Sequence, residues 1–345
     1  MARKITIQQI ADYLGVSKYV VSRALSGRSG VKEETKEKVF QAASKLGYFI
    51  QNSRIKSSNV QEFSREKKNI LVVMPNTRQQ MQESSYWGGI IDGIRSSVES
   101  KGFGVIIITE GDTDDLSAII NLDAVLGLIG VGKVSTSLLL KVRQLNFPIV
   151  LIDHEDRLLS VDTVFTNNFD SSAMLTDHLI GLGHKRIWFL GNITYSRSFF
   201  DRWLGFRSAL ELSGMTAPKD EATSAKNSDD MCIDTMTWME SLQQDQELPT
   251  AIMCANDSIA IELLTVLKEL SIDVPGEISV TGFDNIEDSY LVSPTLTTVH
   301  VPKEQIGKRA VKALFARLYD SESPGEKTLL SCESIFREST LAKNE

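Results

Sequence analysis

Apolar positions change their period twice along this chain. Near the start Ile7, Ile10, Ala11 and Leu14 recur at helical spacing behind Thr6-Ile7-Gln8-Gln9, which has the form of a capping box, and the pattern stops at Gly15. A second short run, 17–26, puts Val20, Val21, Ala24 and Leu25 on one side and leaves Lys18, Tyr19, Ser22 and Arg23 outward. Helix, tight turn and helix is the form that sets a polar helix face into a DNA major groove. Residues 32–46 predict a third helix with Val39, Ala42, Ala43 and Leu46 inside and Gly47 as its stop. Residues 51–69, QNSRIKSSNVQEFSREKKN, are polar and basic without a sustained period and read as a linker.

From Ile70 onward short apolar runs alternate with helical stripes. Strands are predicted at 70–74, 105–109, 124–129 and 149–152, and helices at 87–100 (Ile90, Ile91, Ile94, Val98) and 138–145. The pattern restarts with strands at 187–190, 251–255 and 278–283 and helices around 171–182, 203–212 and 259–270. This alternation predicts two similar α/β halves, each a parallel sheet covered by helices, with a ligand cleft between them at the strand C-termini. The expected organisation is a headpiece at 1–50, the linker at 51–69 and a sensor domain at 70–345.

Composition changes one part of this picture. Hydrophobic residues at 42% and charged residues at 24% over 345 positions describe an ordinary soluble chain of more than one unit. The net charge of −8 argues against nucleic acid until it is divided: residues 1–68 carry 14 Lys or Arg against 6 Asp or Glu, a net of +8, leaving −16 for the rest. Basic charge thus gathers beside the helix pair. Three cysteines, Cys232, Cys254 and Cys332, have no metal-ligand spacing and suit a reducing cytoplasm. There is no export signal and no run of eighteen apolar residues, so a cytoplasmic protein without membrane contact is expected. The four histidines are scattered, and no phosphate loop or nucleophile elbow occurs, so no catalytic residue, metal or cofactor is expected.

At this point particular stretches resemble the LacI/GalR family of bacterial transcription regulators, over nearly the whole chain. They are Thr6-Ile7, Ile10-Ala11, Gly15-Val16-Ser17, Val21 to Gly27 and Leu46-Gly47-Tyr48, then Gly183 to Ile187, Arg202 to Phe206, Asn256-Asp257, Gly282-Phe283-Asp284 and Arg337 to Thr340, in the family's order. The resemblance implies an all-α helix-turn-helix headpiece and a periplasmic-binding-protein-like (type I) sensor with two parallel-sheet subdomains. It also implies a homodimer on double-stranded operator DNA, dimerisation through the sensor, and a small-molecule effector, usually a sugar or nucleobase. The chain reads as a repressor whose operator affinity is modulated by a sugar or sugar derivative. The alternative is a regulator of the same fold controlled by a protein partner or a non-sugar ligand.

Carried over residue by residue, Thr6, Ser17, Lys18, Tyr19, Ser22 and Arg23 face DNA, where cations and hydroxyls bind phosphates or base edges. In the linker the family's minor-groove Leu position holds Ser57, so the wedge is either missing or displaced to Ile55; Arg54 and Ile55 are the DNA-side candidates, and weaker DNA bending with more reliance on phosphate contacts is expected. In the sensor, Tyr86 and Trp87 offer aromatic faces to a ligand, Arg202 a rigid donor fork and Asp284 an acceptor pair, and Asn256 extends the polar set. Ser196, Arg197 and Ser198 are read as a specificity-setting loop, with Ser198 a ligand candidate. Asp257 is read as a possible cap for a helix starting at Ser258. Asn168 and Asp153 to Asp156 are read as loop or hinge rather than contact.

Overall fold

The helical stripes of the first segment pair off. In a computed structural model that describes residues 6–25, 31, 35, 38–39, 42, 69–75, 84–109, 121, 124–145, 147–216 and 234–343, α1 (Ile7–Leu14) begins at a complete capping box: Gln9 N–H donates to Thr6 Oγ1 and Thr6 N–H to Gln9 Oε1. Gly15 ends it in the left-handed conformation, φ 66°. α2 (Lys18–Leu25) starts at Ser17, whose hydroxyl accepts from Val20 N–H at 3.3 Å. Ile10, Ala11, Val21 and Ala24 form a common core with Val39 and Ala42 of the third helical segment. Val20, expected inside, is half-buried. The remaining expectations for the third helix and the linker, with Arg54, Ile55 and Ser57, lie outside the described residues.

The chain divides into two compact units, residues 1–68 with 122–124, and the remainder. In the second unit, β1 (Asn69–Met74), β2 (Gly104–Thr109), β3 (Val125–Val131), β4 (Ile149–Ile152) and β5 (Asp162–Thr166) lie in a parallel sheet with β10 (Lys327–Leu330), in the order β10-β5-β4-β3-β1-β2. The VLGLIGV run of β3 is buried at all seven positions, as a central strand covered on both faces requires. Helices α3 (Ser84–Glu99) and α4 (Thr136–Gln144) connect these strands. The second subdomain has a smaller parallel sheet, β6-β7-β8 (Ile187–Leu190, Ala251–Cys254, Ser279–Thr281), with α5 (Asn168–Gly181), α6 (Arg197–Leu212), α7 (Thr235–Gln244) and α8 (Asp257–Glu269). An antiparallel pair, β9 (Thr298–His300) and β11 (Glu333–Ile335), completes it. Among the described residues the two halves are therefore unequal, six strands against three plus a ribbon.

α9 (Lys303–Tyr319) returns to the first subdomain and packs on α3, β3, β4 and β5. The two helices approach backbone to backbone: a Cβ on Gly93 would stand 2.2 Å from the Glu304 carbonyl oxygen, and one on Gly307 2.2 Å from that of Ile90. The chain passes between subdomains three times, at 166–168, 300–303 and 330–333. Two sequence expectations shift. The helix expected from Trp203 begins at Arg197, because Ser196 Oγ accepts from Phe199 N–H and caps it, so Arg197 and Ser198 are helical rather than loop. The helix expected from Ser258 begins at Asp257, with Asn256 as its cap.

Candidate functional site

The six-residue advance of α6 decides how the cleft is built, since it places Ser198 and Arg202 one turn apart on a single face. Arg202 is 2% exposed and its fork is spent inside the protein. Nε donates to Asn168 Oδ1 at 2.8 Å, Nη1 to the Ala255 carbonyl at 2.7 Å and Nη2 to Asp284 Oδ1 at 3.2 Å. The guanidinium carbon lies 3.8 Å from the centre of the Phe283 ring. Burial raises the Asp284 carboxyl above the usual carboxylate range, against the pull of Arg202 and Lys303.

From the first subdomain, Asp153 follows the last residue of β4, and its φ of 54° turns its carboxylate toward α6, where the Ser198 hydroxyl donates to it. Burial pushes the Asp153 carboxyl up to about 6, against Arg202 and the Ser198 hydrogen bond. Asn168, at the first crossing, donates to Ser198 Oγ at 3.1 Å and to the Thr166 carbonyl at 3.2 Å. Asp153 and Asn168, read from sequence as loop or hinge, thus sit inside the cluster. What marks them is adjacency to strand C-termini, the position where α/β sheets gather ligand groups. At the rim Glu155 bridges Arg197, at 2.5 Å, and Lys327.

Tyr86 and Trp87 stand edge to face, ring centres 4.8 Å apart, on the first turn of α3 and border the same cavity as Asp153, Ser198, Arg202 and Asp284. Among the described residues the buried Trp87 indole N–H meets no hydrogen-bond partner. Asn256 borders the cavity too, but its Oδ1 accepts from Ile259 N–H at 3.0 Å, so its acceptor is occupied by the cap. Asp257 instead accepts from Ile286 N–H at 2.9 Å and Thr298 Oγ1 at 2.5 Å, and burial pushes its carboxyl up to about 7. The cavity measures about 20 Å³, room for about one water, whereas small-molecule pockets begin near ~300 Å³. The cleft is closed on its own side chains.

On the headpiece, Lys18, Tyr19 and Ser22 are exposed along one face of α2, with Tyr19 65% exposed. Arg23 lies over the Tyr19 ring, its guanidinium carbon 5.3 Å from the centre, and donates to the Tyr19 hydroxyl. Among the described residues no His, Cys, Asp and Glu grouping could hold a metal ion, and no helix is long and apolar enough to cross a membrane.

The family model for bacterial regulatory proteins of the lacI family matches residues 6–51, and the model for the periplasmic binding protein-like domain matches 176–340. The chain belongs to the LacI family. Its relatives within LacI-family regulation include the HTH-type transcriptional repressor PurR of Vibrio atlanticus (strain LGP32), 28% identical over 326 residues that cover 92% of this chain and 93% of that one. The fold is shared with the transcriptional regulator CelR in its cellobiose complex, at 21% identity and TM-score 0.69, covering 97% of this chain and 100% of that one. It is shared also with the lac repressor dimer bound to operator and the anti-inducer ONPF, at 23% identity and TM-score 0.64, covering 99% and 100%. A lacI-family DNA-binding headpiece and a periplasmic binding protein-like domain occur here in one chain, the arrangement of a DNA-binding transcription repressor.

Proposed function

We propose that this chain binds operator DNA as a homodimer in the cytoplasm and that a carbohydrate or carbohydrate derivative in the sensor cleft sets its operator affinity. The headpiece at 1–50 reads DNA through Thr6, Ser17, Lys18, Tyr19, Ser22 and Arg23, the linker at 51–69 adds Arg54 and Ile55, and 70–345 senses and dimerises. The observation that carries the effector reading is that one cavity borders on acceptors and donors from both subdomains, Asp153 against Ser198, Arg202 and Asp284, under the aromatic faces of Tyr86 and Trp87. Paired carboxylates and a fixed fork suit the hydroxyls of a sugar, and a ring face suits its apolar side. A cellobiose complex of a protein with this fold supports the same reading.

Because the cavity holds about 20 Å³, an effector enters only as the subdomains part, and the Asp153–Ser198 and Glu155–Arg197 contacts break as it does. Entry is thereby tied to the relative position of the two halves, which is what a dimer can pass on to paired headpieces. The test is a thermal-shift panel of sugars, sugar acids and nucleobases on the full chain, then operator titration by anisotropy. An effector at a hundred times its Kd stabilises the fold by about 2.7 kcal/mol, an effect lost in Arg202→Ala. A ligand that binds but leaves operator affinity unchanged at saturation defeats the allosteric reading. The closed cavity also supports a second reading, control by a protein partner or a non-sugar ligand, which a panel with no stabilising sugar would favour.

A further inference from the structure

The Asp284 carboxylate reaches Arg202 from a costly backbone. Asp284 and Asn285 are consecutive non-glycine residues at φ 114° and 49°, on the side of the map that side chains occupy only when their surroundings impose it. Part of that imposition is local to the second subdomain: Arg337 Nη2 donates to Asn285 Oδ1 at 2.7 Å, and Asn285 Nδ2 is 3.0 Å from His300 Nδ1. These bonds hold the Asn285 side chain. They leave the two carbonyls, whose direction defines the turn.

Both carbonyls accept from one ammonium. Lys303 Nζ donates to Asp284 O at 2.5 Å and to Asn285 O at 3.1 Å. Lys303 is the first residue of α9, where the chain has just crossed into the other subdomain. Its stem runs against α3, where a Cβ on Gly89 would lie 3.0 Å from Lys303 Cβ, and Nζ is 5.9 Å from the centre of the Tyr86 ring. The close Gly93 and Gly307 backbone contacts lock α3 to α9. A single side chain therefore joins the helix that carries Tyr86 and Trp87 to the turn that carries Asp284.

We propose that Lys303 is a positioning residue of the effector site: its grip on both carbonyls keeps Asp284 and Asn285 in the left-handed conformation that aims the Asp284 carboxylate at Arg202, and makes that aim depend on where α9 stands. Parting of the subdomains draws Nζ away and frees the turn, so Asp284 is set for ligand only in one hinge position. This rests on the reading of the cleft as the effector site, and its test uses no effector.

The experiment is hydrogen exchange followed by mass spectrometry on the full-length protein and its variants. In Lys303→Met the segment 282–292 is expected to exchange about tenfold faster, while the segments containing β7 and the middle of α9 keep their rates. Lys303→Arg retains most of the protection, and Lys308→Met, one turn further along α9, retains all of it. Adding Asn285→Gly shrinks the Lys303→Met effect, because glycine takes a positive φ without the penalty; a merely structural lysine would show no such dependence. Unchanged exchange at 282–292 in Lys303→Met, or a uniform rise throughout the chain, overturns the proposal. Should Lys303→Met not fold, Lys303→Gln serves the same comparison. Failure of the effector reading has a different signature: a bound sugar indifferent to Arg202→Ala, with the exchange pattern intact.

Discussion

Asp153 is asked for two things that oppose each other, an acceptor for Ser198 across the subdomain junction and a charge in a place that disfavours charge. Its carboxyl is raised from 3.8 to about 6, so between those values the folded state holds a proton that the unfolded state has released. Stability therefore falls as pH rises through this window, by about 2 to 3 kcal/mol. Asp153→Asn keeps an acceptor for Ser198 and removes the titration, so its stability is expected to vary less between pH 4 and 6 than that of the parent when measured by denaturant titration; equal slopes would show that the buried charge costs nothing. Arg202 offers the complementary lesson. A sequence reading can mark it as a donor fork, but its partner Asp284 lies 82 positions away and the Ala255 carbonyl 53, so only the fold reveals that the fork is already engaged. Asn256 was legible as a polar residue beside a strand end, but whether such a residue meets a ligand or caps a helix depends on where the helix begins, and here the cap takes its acceptor.

Among the elements, the α3–α9 pair bears most on the site, because it carries Tyr86 and Trp87 at one end and Lys303 at the other. Gly307→Ala puts a Cβ 2.2 Å from the Ile90 carbonyl oxygen, a backbone atom that cannot step aside. A cost of about 1–3 kcal/mol is expected in thermal unfolding. Gly88→Ala, on the same pair of helices with nothing among the described residues within 4 Å of the new atom, is expected to be neutral or stabilising by about 0.5–1 kcal/mol. Equal costs would mean that close approach is not what fixes the pair. α9 was missed in the sequence although its buried residues Ile306, Ala310, Val311, Leu314 and Phe315 recur at helical spacing. β5 had no such signal: DTVFT is buried at all five positions, yet it neither alternates nor forms an apolar run. Its place follows from pairing with β4 and β10, which no local window contains. The long apolar runs of β1, β3 and β4 were readable for the opposite reason, being covered on both faces.

For the whole molecule, regulation of the proposed kind is a statement about linkage. If an effector changes operator affinity by some factor, operator DNA must change effector affinity by the same factor. Calorimetric titration of the effector with and without operator is expected to return that equality, and a clear mismatch would mean that the ligand acts elsewhere than through the coupled equilibrium. Arg23→Ala separates the two ends of the molecule: operator binding should weaken while effector affinity stays, since α2 and the cleft belong to different units. The broad organisation was legible because the headpiece stripe and the strand runs are local patterns, whereas the return of the chain to its first subdomain is not. That return has a consequence during synthesis. On the ribosome the first sheet emerges with β5 as an open edge, and both α9, which covers β3 to β5, and the sealing strand β10 are translated more than 130 residues later. Until then the nascent chain carries an unpaired strand edge and an uncovered apolar face, the kind of surface chaperones hold and aggregates recruit.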